Sequence, residues 1–405
     1  MQVLCENLFN FGFQRNLNNR ICEQFFHRVP YKVVEKVPRY IRKLLITRGG
    51  LCSLLVQRML FLKGNHTDFY YKRLKVWMIS RVYSLYGWKR VANLAGHSRS
   101  VKSVAFNPKM PLLATGSKDK TAKLWRLSPD GLSAICMPYL MSHDSGVQSV
   151  AFDGTGNFLA TGTTDGTVSI WRVSRCGLSV TRVANWKAHG NEVFSYAINS
   201  LAFHPTAPIL ATGSSDNTVK LWSLEDDFKK KCISTLRGHT GIIRSVAFYL
   251  KKNILATTSA DQTVKLWSVS HEGYGFCVAT LTGHSSWVNS VAFHPTIPLL
   301  ATCSDDTTTK LWRLSPDGTA ATCVKTIMGC NCAYSVAFHP SEPILATTHD
   351  NNTTRVYSFD PDGSTATCVA TLAGHSDRVL SVAFDQSGHF CATSSEKTAL
   401  VWRYL

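Results

Sequence analysis

Residues 283–312 read GHSSWVNSVAFHPTIPLLATCSDDTTTKLW, and this pattern recurs along most of the 405-residue chain. A typical copy holds a Gly-His pair, an apolar segment that ends in Val-Ala-Phe, an Ala-Thr-rich segment, a polar turn and a final segment that ends in Leu-Trp. The period is 45 residues in the second half of the chain. A fixed spacing of this size predicts a repeat architecture in which every copy is one structural unit.

Each unit contains four short β-strand patterns. In the fifth unit they are Trp287–Phe293, Leu299–Ser304, Thr308–Trp312 and a segment around Cys323–Ile327, separated by turns rich in Pro, Asp and Gly. A four-stranded sheet of this kind cannot bury both faces alone, so neighbouring sheets are expected to stack around a common axis. The pattern predicts an all-β, seven-bladed propeller. Its seven marker aromatics are Trp125, Trp171, Trp222, Trp267, Trp312, Tyr357 and Trp402.

The last unit shows only three strand patterns, up to Trp402. Residues 90–94 read RVANL before Gly96-His97 and match CVATL at residues 368–372 before Gly374-His375. We therefore expect residues 90–94 to pair with the last blade and to close the ring, which removes open sheet edges. The predicted organisation is an N-terminal extension over residues 1–87 and a propeller over residues 88–405.

The units resemble the WD40 repeat family over residues 88–405. The resemblance is carried by Gly96-His97 and Lys123-Leu124-Trp125 in the first blade and by their counterparts downstream. It implies a non-enzymatic scaffold that binds protein or peptide partners on one face of the propeller. No unit carries the Trp-Asp pair that names the family, because Arg or Ser follows every marker aromatic. This departure argues against the adaptor docking that Trp-Asp-x-Arg supports in ligase-associated members.

A His, Ser or Thr, Asp and Trp set recurs at one position of successive units. These residue types form hydrolase triads, but five copies at one structural position indicate architecture rather than catalysis. The resemblance implies a buried hydrogen-bonded chain in each blade. The predicted members are His97, Ser117, Asp119 and Trp125; His143, Thr163, Asp165 and Trp171; His189, Ser214, Asp216 and Trp222; His239, Ser259, Asp261 and Trp267; and His284, Ser304, Asp306 and Trp312.

The last two blades depart from this set. The seventh keeps His375, Ser394 and Trp402 but carries Glu396, so its network is expected to be strained or rearranged. The sixth has lost all four members, and the four positions hold Cys330, His349, Asn351 and Tyr357. Two interpretations compete, a decayed blade supported by its neighbours or a blade reshaped for a partner. Decay is favoured, since a network that is half removed is worse than one removed entirely.

A partner-binding face can be located from the repeat. The resemblance places partners on the turns before the first strand and between the second and third strands. Blades four to seven combine apolar bulk with arginine and aspartate at these positions, which is the composition of binding hot spots. The predicted face consists of Ile242, Arg244, Trp287, Asn289, Asp305, Tyr334, Asp350, Arg378 and Leu380. The alternative is that Trp287 folds back on its own blade.

The 13 cysteines favour a reducing compartment. Five of them, Cys136, Cys232, Cys277, Cys323 and Cys368, recur once per blade and are expected in the fourth strand as small apolar residues. Cys330, Cys332 and His349 raise the question of a metal site, but their spacing does not match the usual structural zinc patterns. We therefore predict no metal and no cofactor, and an intracellular protein, cytoplasmic or nuclear.

Most of the net charge of +18 lies before the propeller, since residues 1–90 hold 17 Lys and Arg and only four acidic residues. Few Gly or Pro interrupt residues 1–85, which predicts short basic amphipathic helices. The longest apolar stretch there is too short and too interrupted to span a bilayer. This extension could dock a partner, contact a membrane or nucleic acid, or pack as a helical cap.

The favoured function is a protein-interaction scaffold that uses the propeller face. One alternative is a substrate receptor of a ubiquitin ligase, with the extension as docking module. A second is an RNA- or membrane-associated factor that binds through the basic extension. Nucleic-acid binding by the propeller face is not favoured, because charges of both signs are mixed there. An enzyme is disfavoured, since no acid, base or nucleophile set stands apart from the repeat.

Overall fold

The computed structural model describes residues 87–128, 133–139, 141–174, 177, 179–190, 196–225, 231–329 and 331–404. These residues form seven antiparallel sheets in chain order, each built from four principal strands. The predicted all-β, seven-bladed propeller is confirmed. The predicted helices of the N-terminal extension, and Cys330, lie outside the described residues.

The first strand of the described residues, β1 (Trp88–Ala95), belongs to the last blade, and the next four blades follow in order. Blade one consists of β2 (Val101–Phe106), β3 (Leu112–Ser117), β4 (Thr121–Leu127), β5 (Ala134–Cys136) and a short β6 (Met141–Ser142) that also pairs with β4. Blade two consists of β7 (Val147–Phe152), β8 (Phe158–Thr163), β9 (Thr167–Val173) and β10 (Val180–Lys187). Blade three consists of β11 (Ile198–Phe203), β12 (Ile209–Ser214), β13 (Val219–Ser223) and β14 (Lys231–Leu236). Blade four consists of β15 (Ile243–Phe248), β16 (Ile254–Ser259), β17 (Val264–Val269) and β18 (Gly275–Leu281).

The remaining three blades repeat the same order, with the innermost strand first. Blade five consists of β19 (Val288–Phe293), β20 (Leu299–Ser304), β21 (Thr308–Leu314) and β22 (Ala321–Met328). Blade six consists of β23 (Ala333–Phe338), β24 (Ile344–His349), β25 (Thr353–Phe359) and β26 (Ala366–Ala373). Blade seven consists of β27 (Ser381–Phe384), β28 (Phe390–Ser394), β29 (Thr398–Tyr404) and β1.

The strand β1 completes the last blade. It pairs antiparallel with β29, with Arg90 opposite Trp402 and Leu94 opposite Ala399. The Leu94 side chain is buried in an apolar cluster that also contains Val101 of blade one. The strand therefore adds backbone hydrogen bonds to blade seven and apolar contact to the boundary between the first and last blades. The division of the chain at residues 87 and 88 stays a prediction.

Apolar clusters cross the boundaries between blades. The second strand of blade three is buried along its whole length, because both of its faces are covered. Its Gly213 faces blade four, and a Cβ atom there would lie 2.6 Å from Ile243 Cγ2 and 2.9 Å from Val246 Cγ1. Glycine is required at this position because the next blade approaches so closely. Each blade therefore becomes the cover of its neighbour, which a single sheet could not provide for itself.

A ring of serine hydroxyls joins the innermost strands. Each of these strands has an edge without a partner strand, so its outward N–H groups need other acceptors. The Ser200 Oγ accepts from the Val246 N–H at 3.1 Å, and the same contact recurs from every blade to the next at 3.1–3.4 Å. The seven serines are Ser103, Ser149, Ser200, Ser245, Ser290, Ser335 and Ser381.

The substitution Ser149→Ala tests this ring. It leaves the Leu201 N–H without its 3.1 Å acceptor in a buried position. We expect the free energy of unfolding in urea to fall by about 1–2 kcal/mol, the usual cost of an unsatisfied buried donor. The control is Ser358→Ala, because the buried Ser358 hydroxyl has no hydrogen-bond partner. Equal effects of the two substitutions would show that the serine ring contributes nothing to stability.

Candidate functional site

A histidine, a threonine, an aspartate and a tryptophan form a continuous hydrogen-bonded chain in four blades. In blade four, His239 Nδ1 lies 2.7 Å from Asp261 Oδ2, and His239 Nε2 lies 2.8 Å from Thr257 Oγ1. The Trp267 Nε1–H donates to the same threonine oxygen at 2.8 Å. Blades one, three and five contain the same chain, with His97, Thr115, Asp119 and Trp125; His189, Thr212, Asp216 and Trp222; and His284, Thr302, Asp306 and Trp312.

The predicted hydroxyl of this chain was wrong by two positions. In blade four the sequence analysis chose Ser259, but the oxygen between histidine and tryptophan belongs to Thr257. Ser259 Oγ instead donates to the Gly241 carbonyl at 2.8 Å and accepts from the Asp261 N–H at 3.1 Å. Thr257 and Ser259 are two residues apart on one strand, so their side chains lie on the same face. Ser259 ends the strand and bonds to the turn, whereas Thr257 lies further inside and reaches the Trp267 indole. The same correction applies to Ser117, Ser214 and Ser304, whose roles belong to Thr115, Thr212 and Thr302.

Burial favours the neutral form of three of these histidines, His97, His239 and His284. Burial lowers the pKa of His239, against the opposing hydrogen bond and charge of Asp261. Burial also disfavours ionisation of Asp306, but hydrogen bonds from Thr308 and His284 outweigh it and lower the pKa of that carboxyl to about 2. A neutral imidazole that carries its proton on Nδ1 donates to the carboxylate and accepts from the threonine hydroxyl, so every atom of the chain is satisfied. Such a chain has no free base or nucleophile.

Blade two keeps the residues but not the chain. Trp171 Nε1–H donates to Thr161 Oγ1 at 3.0 Å, so Thr161 replaces the predicted Thr163. The Asp165 carboxylate accepts from Thr163 and from the Thr167 N–H instead of from the histidine. His143 Nε2 is buried without a hydrogen-bond partner, and burial lowers the pKa of His143 to about 4.

Blade seven is rearranged by a shorter turn. His375 Nε2 and Trp402 Nε1 both bond to Thr393 Oγ1 at 2.8 Å, so the predicted Ser394 is not the shared hydroxyl. Ser394 pairs with Ala399 in the strand register, which leaves the turn one residue shorter than that between Gly116 and Ala122 of blade one. No residue of the described turn takes the aspartate position, and His375 Nδ1 lacks a partner. Glu396 therefore does not join the chain, and it accepts a hydrogen bond from Ser100 of blade one.

Blade six rebuilds part of the chain with a different histidine. The threonine is retained as Thr347, and its Oγ1 lies 2.8 Å from His349 Nε2. His349 occupies the strand position that Ser117 holds in blade one, as the matching registers show. It is buried, and burial lowers its pKa. An imidazole thus reaches the threonine from within the strand. The prediction that all four members are lost was wrong for the hydroxyl, and the choice between decay and reshaping stays open.

The substitution Thr257→Val tests the identity of the hydroxyl. It removes the partner of both His239 Nε2 and Trp267 Nε1, so we expect the free energy of unfolding to fall by about 2–4 kcal/mol. The matched control is Thr258→Val, because the adjacent buried hydroxyl has no hydrogen-bond partner. That control is expected to be close to neutral in the same urea titration. A loss for Thr258→Val as large as that for Thr257→Val would contradict the assignment.

Acid should destabilise the propeller through its buried histidines. Burial, with a smaller contribution from Arg90, lowers the pKa of His375 to about 4, below the 6.5 of an unfolded chain. The unfolded state therefore binds the proton first, so stability is fully present above pH 6.5 and falls as the pH drops towards about 4. We expect the free energy of unfolding to fall less with pH in the His375→Gln variant than in the unmodified chain, by about 2–3 kcal/mol. Urea titrations at pH 7 and pH 4.5 measure it, and an unchanged decline would refute it. His271→Gln, on an exposed residue, is the control.

The same turns that carry the chains form one surface of the ring, here called the top face. In each of blades one to six, a backbone N–H in the turn between the second and third strands donates a hydrogen bond to a backbone carbonyl. That carbonyl belongs to the residue just before the first apolar residue of the inner strand. The Ala260 N–H donates to the Ile242 carbonyl at 2.9 Å, and the Asp305 N–H donates to the Trp287 carbonyl at 3.0 Å. The side chain of Trp287 is 49% exposed and that of Ile242 is 36% exposed. These contacts hold both apolar residues on rigid turns.

Four of the predicted face residues form a connected group. The Arg244 guanidinium lies over the Trp287 ring, with Cζ 5.5 Å from the ring centroid. Its Nε and Nη2 donate to Asn289 Oδ1 at 3.2 and 3.0 Å. Asn289 Nδ2 in turn donates to Asp305 Oδ1 at 2.6 Å. Trp287 is therefore packed against Arg244 of the preceding blade, and about half of its surface remains open to a partner.

The other predicted face residues are linked less directly. A hydrogen bond to the Tyr334 side chain raises the pKa of Arg378. The Asp350 carboxylate has one buried oxygen, Oδ1, without a hydrogen-bond partner. It lies near Cys332, and burial together with the charges of Asp305 and Asp350 raises the pKa of that thiol. Within the described residues, no hydrogen bond or ring contact links the side chains of Ile242 and Leu380 to this group.

Two residue sets were missed by the sequence analysis. The threonines of the buried chains lie in the Ala-Thr segment of every unit, and the ring serines precede Val-Ala-Phe or Leu-Ala-Phe in every unit. Their invariance across seven units was the available signal. The predicted face also leaves out Lys102, the blade-one counterpart of Arg244.

The described residues show no group of three or more His, Cys, Asp or Glu side chains that could hold a metal ion. Eight cysteines in this part of the chain are free thiols, among them Cys332 and the five outer-strand cysteines. No helix within the described ranges is long and apolar enough to cross a membrane.

Comparison with known proteins gives two similarities. The family model described as "WD domain, G-beta repeat" matches residues 88–126, 135–172, 180–223, 230–268, 275–313, 321–358 and 366–403. The pre-mRNA-processing factor 19 of Oryza sativa subsp. japonica is 32% identical over 151 residues. That alignment covers 37% of this chain and 27% of the relative, so it spans about a quarter of the relative's length.

Proposed function

The chain belongs to the WD40 repeat family, and from this premise we propose that it is a non-enzymatic scaffold that binds protein partners through the top face of its propeller. Members of this family are generally protein-interaction scaffolds. The observation that carries the proposal is an exposed Trp287 fixed on a preorganised Arg244. The step from fold to function rests on this site, since propellers support many roles.

The chemistry of the top face supports a protein partner. Tryptophan and arginine supply most of the binding energy at protein interfaces when they are placed in a rigid setting with a polar rim. Arg244 is held by two hydrogen bonds to Asn289, so little side-chain entropy is lost when a partner binds. The carboxylates of Asp305 and Asp350 provide the polar surroundings. The buried His, Thr and Trp chains, in contrast, use up their donors and acceptors internally.

The other hypotheses depend on different parts of the molecule. The ligase substrate receptor and the RNA- or membrane-associated factor both require residues 1–87, which lie outside the described residues, and they stay predictions. The similarity to a pre-mRNA-processing factor extends over 37% of the chain. We therefore do not infer a role in pre-mRNA processing from it. Free thiols on the outer strands support an intracellular location, because exposed cysteines persist as thiols in reducing compartments.

Partner capture tests the proposal. Tagged full-length chain and its Trp287→Ala, Ile242→Ala double variant are used to capture partners from cell extract, with quantitative mass spectrometry as the readout. We expect the partners of the unmodified chain to fall by about tenfold or more with the variant, since a hot-spot tryptophan contributes 2 kcal/mol or more. Circular dichroism checks that both proteins fold.

The matched control is Phe276→Ala, which removes an aromatic side chain that is 64% exposed on the outer strand β18. This variant should keep the partners. If the double variant keeps them as well, the top face is not the binding surface. If both variants lose them equally, the outer edge contributes as much as the top face, and the proposed location is wrong.

A further inference from the structure

Three cations, Lys102, Arg244 and Arg378, lie on the innermost strands or on the turns that lead into them, and the charges of both arginines act on Lys102. Lys102 and Arg244 occupy equivalent positions on β2 and β15, where the strand register shifts between Val101 and Ser103 and between Ile243 and Ser245. A residue at such a bulge has no partner opposite it, so its side chain is free of the ladder. Arg378 lies one position before the inner-strand apolar residue of blade seven. All three belong to innermost strands or to the turns that lead into them.

These three cations lack carboxylate partners. Within the described residues, none of the three has a carboxylate oxygen within 4 Å, and ion pairs at this distance join histidine to aspartate in four blades. Arg244 is held by the neutral amide of Asn289, and Arg378 by the hydroxyl of Tyr334. The charge of Asp305 acts on Arg244 and that of Asp377 acts on Arg378. Glu396, whose charge acts on Lys102, accepts a hydrogen bond from Ser100.

Lys102 lies among like charges. Burial lowers the pKa of Lys102, and the charges of Lys118, Arg378 and Arg244 lower it further, while Glu396 alone opposes them. A half-buried ammonium group that is surrounded by like charges is unfavourable until an anion joins it. Lys102, Arg244 and Arg378 thus form an electropositive site, although the charge of Asp305 also acts on Arg244.

We propose that this site accepts an acidic side chain, a carboxylate or a phosphate, from an extended peptide segment of the protein partner. The inference rests on the proposed function and names the chemistry of the segment that the top face recognises. The anion would lie between Lys102, Arg244 and Arg378, and an adjacent apolar residue of the segment would pack on Trp287.

The geometry of Arg244 suits this role. A guanidinium has five N–H donors in a planar fork, and the hydrogen bonds to Asn289 use Nε–H and one donor of Nη2. The remaining N–H groups can bind a carboxylate or phosphate oxygen, while the Trp287 ring fixes the plane of the fork. The Asp305 carboxylate would repel an acidic group that approached Arg244 from the blade-five side. One of its oxygens, Oδ1, already accepts a hydrogen bond from Asn289 Nδ2.

The test uses the full chain and four oriented pools of fluorescent dodecapeptides that differ only in the fixed central residue: Glu, phosphoserine, Gln or Lys. Fluorescence anisotropy measures binding. We expect the Glu or phosphoserine pool to bind at least about tenfold more tightly than the Gln and Lys pools, as a charge-assisted hydrogen bond supports. The ratio between the two acidic pools distinguishes a carboxylate from a phosphate ligand.

Two variants localise the effect. Lys102→Met combined with Arg378→Gln should abolish the preference for acidic pools, whereas Lys109→Met, which removes an exposed lysine from the turn that follows the same inner strand, should retain it. Any of four results would overturn the inference. They are a preference for acidic pools that survives in the double variant, equal binding of all four pools, a preference for the Lys pool, and binding of no pool. If all pools bind equally and Trp287→Ala removes that binding, the scaffold proposal stands while the anion site fails.

Discussion

The hydrogen bond from one inner strand to the serine of the preceding blade is the constraint on which the ring depends. An inner strand pairs with one neighbour only, so half of its N–H groups would face the channel side without an acceptor. The Ser200 Oγ supplies the missing acceptor for the Val246 N–H. The same contact recurs in all seven blades and holds each blade against the next. Apolar packing then fills the space between sheets, with Gly213 as the example of how closely they approach. The top face inherits its rigidity from this arrangement.

How much the sequence could predict depended on the kind of information that a repeat contains. The period located every blade and the strands within it, since hydrophobic alternation and turn residues are local signals. It could not decide between Thr257 and Ser259, because side chains two residues apart lie on the same face of a strand and only their depth differs. Glu396 was placed at the aspartate position because residues were matched by type. A turn shortened by one residue moves that carboxylate to blade one, and only the strand register reveals the shift.

Blade six shows that a buried role can change its position in the sequence. The threonine hydroxyl needs a partner in a space without water, and His349 supplies it from the strand where other blades carry serine or threonine. The residues that form a buried chain can therefore differ from blade to blade while the sheet is preserved. The differences that matter for recognition lie where the chain is free to vary, at residues such as Trp287, whose counterparts in other blades include Gly146 and Cys332.

The pairing of β1 with β29 has a consequence for how the protein is made. The strand β1 is the first part of the propeller to leave the ribosome, and β29 is the last, so the nascent chain carries an unpaired strand throughout its synthesis. During that time the apolar surface around Leu94 and Val101 has no cover. Contacts that close over such a long loop form slowly, and uncovered apolar surface favours aggregation. The ring is thus completed only after translation of the propeller, and this interval is when the chain most needs protection by chaperones.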